Sequence, residues 1–410
     1  MTSRRWWFLS AVLVLLIGVT AWFVRPDRAE LARAGQARAG QARAGQDEAG
    51  PPMGWNSWNR FGCDIDEQLI RGQADALVAS GMRDAGYTYV VVDDCWMADE
   101  RDAGGRLQAD PGTFPSGMKA LGDHIHAQGL KFGIYSSAGS RTCEGRPASR
   151  DHEEVDARTF AEWGVDFLKY DYCESKAGDR PTGLPARDRY RKMGEALRAS
   201  GRPIVLSVVE WGDEKPWEWA HDAGGTMWRT TRDIKPNWPN ITGILDQQVG
   251  LERYARPGGW NDPDMLQVGN GLNEDENQFH MTTWCLLNAP LMAGNDLTAM
   301  DRITSGALLN RALLDVQRDF GGGQGRRLRD DGDTEVWVKG MSDGSVAVAL
   351  LNRGDEAASV TAAASEVGLP AAGSYRVLDL WNGEQPTTPG PLGGDVAAHG
   401  VMALRVWPLR

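Results

Sequence analysis

The sequence predicts an α/β protein, a (β/α)8 TIM barrel followed by a C-terminal antiparallel β-sandwich. Three observations carry this. From residue 53 onward, eight short strand-like runs alternate with helical segments over about 250 residues, which is the arithmetic of the barrel. The clearest runs are continuously apolar, as strands of a parallel sheet covered on both faces must be. Past residue 320 the pattern changes to short alternating runs broken by Gly, Asp and Pro, as in a small sandwich. An open doubly wound sheet is disfavoured: no GxGxxG follows the first strand, and polar residues recur at many strand ends rather than at one switch point.

The chain opens on Arg4 and Arg5, then an uncharged apolar stretch at 6–24, "WWFLSAVLVLLIGVTAWFV". It is long for a signal-peptide core and just long enough to span a bilayer. A cleaved signal and an uncleaved anchor both export the rest of the chain, secreted or tethered through 6–24 to the outer face of a membrane. "ARAGQ" then repeats three times at 32–46 with no apolar face, the composition of a disordered tether. Residues 1–50 are therefore set apart from the fold.

Strands are expected at 53–58, 87–94, 130–137, 165–172, 202–210, 226–230, 258–266 and 289–296, making 51–320 the barrel. Asp64 followed by Glu67 has the spacing of a capping box opening a helix over 64–80. Helices at 156–164 and 189–201 end in Gly164 and Gly201, plausible C-terminal caps. "GGGQG" at 321–325 is a joint; no Lys-Ser/Thr pair or helix follows, so it is a poor phosphate loop. "TEVWVKG", "SVAVALLNR", "SYRVLDLW" and "VMALRVWPL" read as strands of a β-sandwich over 326–410.

A formal net charge of −12, with 56 acidic against 44 basic residues, argues against a nucleic-acid partner. Seventeen tryptophans are many for 410 residues, and such rings serve as core or as sugar platforms. Of five cysteines in an exported chain, four can pair; Cys285, in "WCLLNAPLM", reads as a buried free thiol. No cysteine or histidine spacing suggests zinc. His124 and His126 form an HxH, but in a helix-like segment where residues two apart point in different directions.

In a barrel, the C-terminal strand ends carry the chemistry. Here they are Trp55 and Trp58; Asp93 and Asp94; Tyr135; Lys169 and Asp171; Glu210; Arg229 and Asp233; Asp262 and Asp264. In "VDFLKYDYC", Val165 and Phe167 share one strand face with Lys169 and Asp171, so a core-facing row ends in charge. Ser/His/Asp hydrolysis lacks a GxSxG elbow. Two carboxylates with sugar-gripping groups fit glycoside hydrolysis, which needs one carboxylate as nucleophile and one as acid. Lys169 beside Asp171 is expected to hold the nucleophile ionised.

"MGWNSWNRFGC", "DDCW", "GRLQADPGTFPSGMKAL", "GLKFGIYSSAGSRTC", "FLKYDYC", "WRTTRDI" and "GGWNDPDML", in this order, resemble glycoside hydrolase family 27, the melibiase-type α-galactosidases. The resemblance runs from about residue 52 to about 320, with a β domain of the expected kind behind it. It implies a retaining mechanism without cofactor or metal, acting on α-galactoside oligosaccharides or polysaccharides. Carried over by motif, it makes Asp171 the nucleophile and Asp233 the acid/base. Asp93 and Asp94 would grip the 4- and 6-hydroxyls of galactose, Lys169 the 3- and 4-hydroxyls and Arg229 the 2-hydroxyl region, with Trp58 under the ring. Tyr135, Glu210, Trp211 and Asp264 would line the pocket. The implied disulfides are Cys63–Cys95 and Cys143–Cys173, leaving Cys285 free. Glu210 favours a plain 2-hydroxyl over an acetamide. Val209 and Arg232 depart from the family pattern. Alternatives on this fold are a β-L-arabinopyranosidase, an α-N-acetylgalactosaminidase and a catalytically silent sugar-binding protein.

Overall fold

The computed structural model describes residues 50–174 and 179–409. The expected signal or anchor at 6–24 and the ARAGQ tether lie outside the described residues. Among the described residues, no helix is long and apolar enough to cross a membrane.

Eight parallel strands are present: β1 (Met53–Asn56), β2 (Tyr89–Val92), β3 (Lys131–Ser137), β4 (Phe167–Asp171), β5 (Val205–Val209), β6 (Met227–Arg229), β7 (Trp260–Asp262) and β8 (Leu291–Ala293). They pair in sequence order, β1 also pairs with β8, and a bridge between Leu266 and Ala293 closes the barrel on the β7–β8 side. Each strand is shorter than its apolar run, because the ends turn out of the sheet into loops that serve the mouth.

The helices that cover the barrel start on side-chain caps. Asp66, not Asp64, caps the helix Glu67–Ala79, accepting from Leu69 N at 2.7 Å. Glu67 instead binds Arg71 and accepts from Ser116 N. A reciprocal capping box joins Asn273 and Glu276 at the helix Glu274–Leu286. The expected helices at 156–164 and 189–201 are Glu153–Glu162 and Ala186–Ala199, and Gly164 (φ 79°) and Gly201 (φ 80°) follow them in the left-handed region, as anticipated. One connection differs from the expected pattern: β5 leads into a single 3₁₀ turn, Pro216–Glu218, not an α-helix. Pro216 and the glycines at 224 and 225 interrupt any longer helix. Aromatics cover the gap instead, with Trp219 packed at 5.7 Å on Tyr190.

Period-two alternation sorts the side chains. Tyr89, Val91, Phe167, Met227, Trp260 and Met292 face inward and fill the barrel, joined by Met265. Leu168, Tyr170, Val90, Val92 and Trp228 face outward onto the helices. Val165 precedes β4 and belongs to the outer layer, so the row that meets the mouth is Phe167, Lys169, Asp171. Two disulfides staple mouth loops, Cys63–Cys95 beyond β1 and β2 and Cys143–Cys173 beyond β3 and β4. Cys285 is free and buried.

The C-terminal domain is a sandwich with more strands than the four legible ones. A six-stranded sheet runs in the order β14-β13-β16-β11-β10-β9, from β9 (Arg326–Asp330), β10 (Thr334–Gly340), β11 (Val346–Asn352), β13 (Ser374–Asp379), β14 (Thr387–Thr388) and β16 (Val401–Leu409). β12 (Ala358–Ala362) pairs with β15 (Leu392–Val396) over its inner face. The outer face packs on the barrel through Trp337, Ala349, Leu351 and Ala403, which share one core with the helices. At this junction Glu335, fully buried, accepts from Arg353 at 2.6 Å and Arg327 at 3.2 Å, and both guanidiniums also bind Asp246 of the barrel. Losing one partner of a buried carboxylate is expensive, although Arg327 and the Trp337 indole, at 2.6 Å, still serve Glu335. Arg353→Met is therefore expected to cost about 2–3 kcal/mol, read as a lower midpoint in thermal denaturation. Catalytic constants measured below the transition should stay unchanged.

Candidate active site

The inward rows turn from apolar to charged at the C-terminal end of the barrel. β4 runs Phe167, Lys169, Asp171; β6 runs Met227, Arg229; β7 runs Trp260, Asp262; and β2 leads through Tyr89 and Val91 to Asp93. Beyond three strand ends, a non-glycine residue takes positive φ: Cys95 (76°), Trp211 (63°) and Asp264 (82°). Such backbone is strained for L-residues and here turns the neighbouring chain sharply at the mouth.

Lys169 reaches across the barrel to Asp93 Oδ2 at 2.8 Å, where Asn56 Nδ2 also donates at 2.7 Å. Asp93 Oδ1 accepts from Asp94 N, and the Ser57 hydroxyl accepts from Asp93 N. Asp94 is held by Cys95 N at 2.7 Å and Glu144 N at 3.0 Å. Asp171 accepts from the Tyr135 hydroxyl at 3.0 Å and from Tyr172 N at 2.9 Å. Arg229, 2% exposed, donates to Asp233 Oδ1 at 3.0 Å, pairs with Asp264 Oδ2 at 2.9 Å and donates to Thr231 O. Asp264 is oriented by Ile234 N and Met265 N. Glu210 Oε2 accepts from Glu214 N at 2.8 Å. Glu210 Oε1, Arg229 Nε and Thr231 Oγ1 are buried without hydrogen-bond partners, which is costly unless a ligand completes them.

Most expected residues therefore converge on one mouth, though the tryptophans divide. Trp58 lies in a short helix beyond β1, packed on the inward cluster. Trp55 is turned outward, fully buried, its indole donating to Asn295 O. Asn56 went unnoticed although it shares the inward face of β1 with Gly54; strand parity alone could have found it. His124 and His126 lie on the helix Gly117–Ala127, binding Gln128 and Asp166, away from the mouth. Arg232 points away from Asp233, donating to Asp213 at 2.5 Å with its guanidinium 5.1 Å from the Trp211 ring.

The electrostatics reverse one expectation. Burial pushes Asp171 to about 7, against the pull of Lys169 and helped by the negative charge of Asp233. Lys169, whose ammonium is bonded to Asp93, draws the value down but does not overcome that burial. Asp233 stands at the lip with its side chain 61% exposed. The desolvation there is outweighed by Arg229 and Lys169, which leave its carboxyl below the usual range. Burial also lifts Asp94 to about 6 and Glu210 and Asp262 to about 7. Lys169 and Arg229 stay firmly charged: burial works against them, but Asp93 on Lys169 and Asp264 on Arg229 outweigh it.

A carboxyl raised from 3.8 to about 7 is protonated in the fold where the unfolded chain has already ionised. Asp171 therefore destabilises the fold increasingly as pH rises from about 4 to about 7, and fully above that. Asp171→Asn is expected to melt several degrees above the parent protein at pH 8. The gap should close towards pH 4, as read by calorimetry at both values.

Comparison with known proteins agrees with this geometry. The family model described as Alpha galactosidase A matches residues 50–319, and that of the Alpha galactosidase C-terminal beta sandwich domain matches 331–406. Alpha-galactosidase A of Cellvibrio japonicus is 44% identical over 380 residues, covering 87% of this chain and 92% of the relative. Alpha-galactosidase 2 of Arabidopsis thaliana is 50% identical over 333 residues, covering 81% and 82%. The crystal structure of alpha-galactosidase I from Mortierella vinacea superposes with a TM-score of 0.83 at 38% identity, covering 88% of this chain and 97% of its own. The chain belongs to glycoside hydrolase family 27, the melibiase-type α-galactosidases.

Proposed function

We propose that this chain is an exo-acting, retaining α-galactosidase that releases terminal α-D-galactosyl residues by double displacement, with Asp171 as nucleophile and Asp233 as acid/base. Glycoside hydrolase chemistry on α-galactosides follows from the family and its curated α-galactosidase relatives. The observation that carries the residue roles is the pair itself. Asp171 ends β4 inside the barrel and Asp233 stands on the loop after β6; both feel the charge of Lys169, and Asp171 feels that of Asp233.

Galactose would enter with its 4- and 6-hydroxyls on Asp93 and Asp94, its 3- and 4-hydroxyls at Lys169 and its ring over Trp58. Tyr135, Trp211 and Asp264 complete the wall. The 2-hydroxyl would meet the unpartnered Glu210 Oε1 and Arg229 Nε. Glu210, held by Glu214 N, would stand where an acetamide on the 2-position must fit, which disfavours N-acetylgalactosamine. The Asp93–Asp94 pair disfavours a pentopyranoside lacking the hydroxymethyl group. Asp171 attacks the anomeric carbon, and Asp233 protonates the departing oxygen. Water, deprotonated by Asp233, then displaces Asp171 and releases α-galactose.

Asp171 holds its proton to about 7, whereas Asp233 stands below the usual carboxylate range. Binding must reverse this, since attack needs Asp171 ionised and Asp233 protonated. Asp171 raised to about 7 holds that proton below neutrality and loses it above. The kcat/KM profile is therefore expected to be flat through mildly acidic pH and to fall as pH rises through about 7.

Release of p-nitrophenol from the α-galactoside, compared with the α-N-acetylgalactosaminide and β-L-arabinopyranoside, tests the substrate. Silence on all three would favour a sugar-binding protein. Asp171→Ala with azide is expected to yield β-galactosyl azide, since azide would attack the face the carboxylate vacates; no azide adduct, or a first-formed β-galactose from the parent enzyme, would sink double displacement. Asp233→Asn should lose about 10²–10⁴ on oligosaccharides and less on p-nitrophenyl galactoside, whose leaving group needs little protonation.

Export is part of the proposal. The two mouth disulfides support it, because such bonds persist in oxidising compartments. Tethering through 6–24 is tested by fractionating membranes from cells expressing the full chain.

A further inference from the structure

The interior of the pocket is acidic, but its outer rim beside Asp233 also carries guanidiniums. Arg232 and Arg180 converge on one carboxylate, Asp213, near the start of the connection that follows β5. Their guanidiniums also lie against the same indole, 5.1 and 5.7 Å from the Trp211 ring. Two cations meet one anion here, and Asp233 beside them is neutral whenever it serves as the acid. Arg232 spends one nitrogen on Asp213 and keeps its side chain 66% exposed. Its remaining donors form a planar fork of the kind that matches carboxylate and phosphate oxygens.

Its position decides what that fork can meet. Galactose occupies the interior, and the group that receives a proton from Asp233 lies outside it. Arg232 is the chain neighbour of Asp233, with its side chain turned outward along the rim, so it borders the path of the leaving group. This rests on the assignment of Asp233 as acid/base. We propose that Arg232, backed by Trp211 and Arg180, forms a cationic wall that selects α-galactosides whose aglycone carries a carboxylate or phosphate close to the glycosidic oxygen. The purely structural role, tying the loops beyond β4, β5 and β6 through Asp213, makes no such distinction among aglycones.

The test compares 4-carboxyphenyl and 4-carbamoylphenyl α-galactosides, with a 4-phosphonooxyphenyl α-galactoside as the phosphate arm. Leaving-group ability differs among them, so the readout is the ratio of kcat/KM values, anionic over neutral, in parent and variant enzymes; any effect of the variant on Asp233 itself cancels. Arg232→Gln is expected to lower the ratio about two- to fivefold, the size of an exposed ion pair, mainly through KM. Arg232→Lys should keep most of it, and raised ionic strength should erode it in the parent enzyme only. Whichever anionic arm shows the larger ratio identifies the source, carboxylate or phosphate. Equal ratios in parent and Arg232→Gln enzymes, with good turnover of all substrates, overturn the wall and leave the α-galactosidase reading standing. No turnover of any of them overturns both.

Discussion

Lys169 and Arg229 make the mouth of this barrel tolerable. Seven carboxyl side chains, Asp93, Asp94, Asp171, Glu210, Asp233, Asp262 and Asp264, gather there, and six of them are buried. Water cannot solvate such a group, and unpaired buried charge is too costly to keep. The site responds in two ways. Some carboxyls lean on a cation or on backbone N–H groups, as Asp93 does on Lys169 and Asp264 on Arg229, Ile234 and Met265. Others, such as Asp171, Glu210 and Asp262, retain protons to near neutrality. The asymmetry between Asp171 and Asp233 follows first from burial, which is far deeper for Asp171, and then from Arg229, which bonds to Asp233.

The β-sandwich contributes no side chain to that mouth among the contacts described above, yet it is continuous with the barrel's core. Trp337, Ala349 and Leu351 pack in the same apolar cluster as the barrel helices, and Trp381 donates to Thr282 on the helix Glu274–Leu286. His399 stacks on Trp238 with ring centroids 4.4 Å apart and meets Glu276. The sandwich thus braces the helices behind β6 and β7, which present Arg229 and Asp262.

The barrel was legible because its strands are long apolar runs with polar ends, and the period-two row through Lys169 and Asp171 marked the mouth. The finer errors have physical sources. Asp64 and Asp66 both precede the helix by plausible spacings, and only the backbone path shows that Asp66 reaches a free N–H. The missing helix after β5 depended on aromatic packing between Trp219 and Tyr190, which no local pattern announces. Strands β9 and β12 are half-exposed and polar, with a weak alternating signal. The expectation that Lys169 would ionise Asp171 failed because adjacency on one strand reveals neither how deeply the carboxyl is buried nor a partner on another strand. Asp93, 76 residues away in sequence, takes the ammonium.

The mouth is built in two halves that answer to different chemistry. Around β1 to β4, where Asp93, Asp94, Lys169 and Asp171 sit, Cys63–Cys95 and Cys143–Cys173 bind loop to loop covalently. Around β5 to β8 the loops are joined by ion pairs, Arg229 with Asp233 and Asp264, and Arg232 with Asp213, which Arg180 also reaches from the loop after β4. A reductant attacks only the first half, where the sugar's hydroxyls would be recognised, while concentrated salt loosens exposed pairs in both, Arg146 with Asp99 in the first and Arg232 with Asp213 in the second. In brine the sugar-gripping half thus still has covalent links where the exit has none, and a reducing milieu takes that difference away.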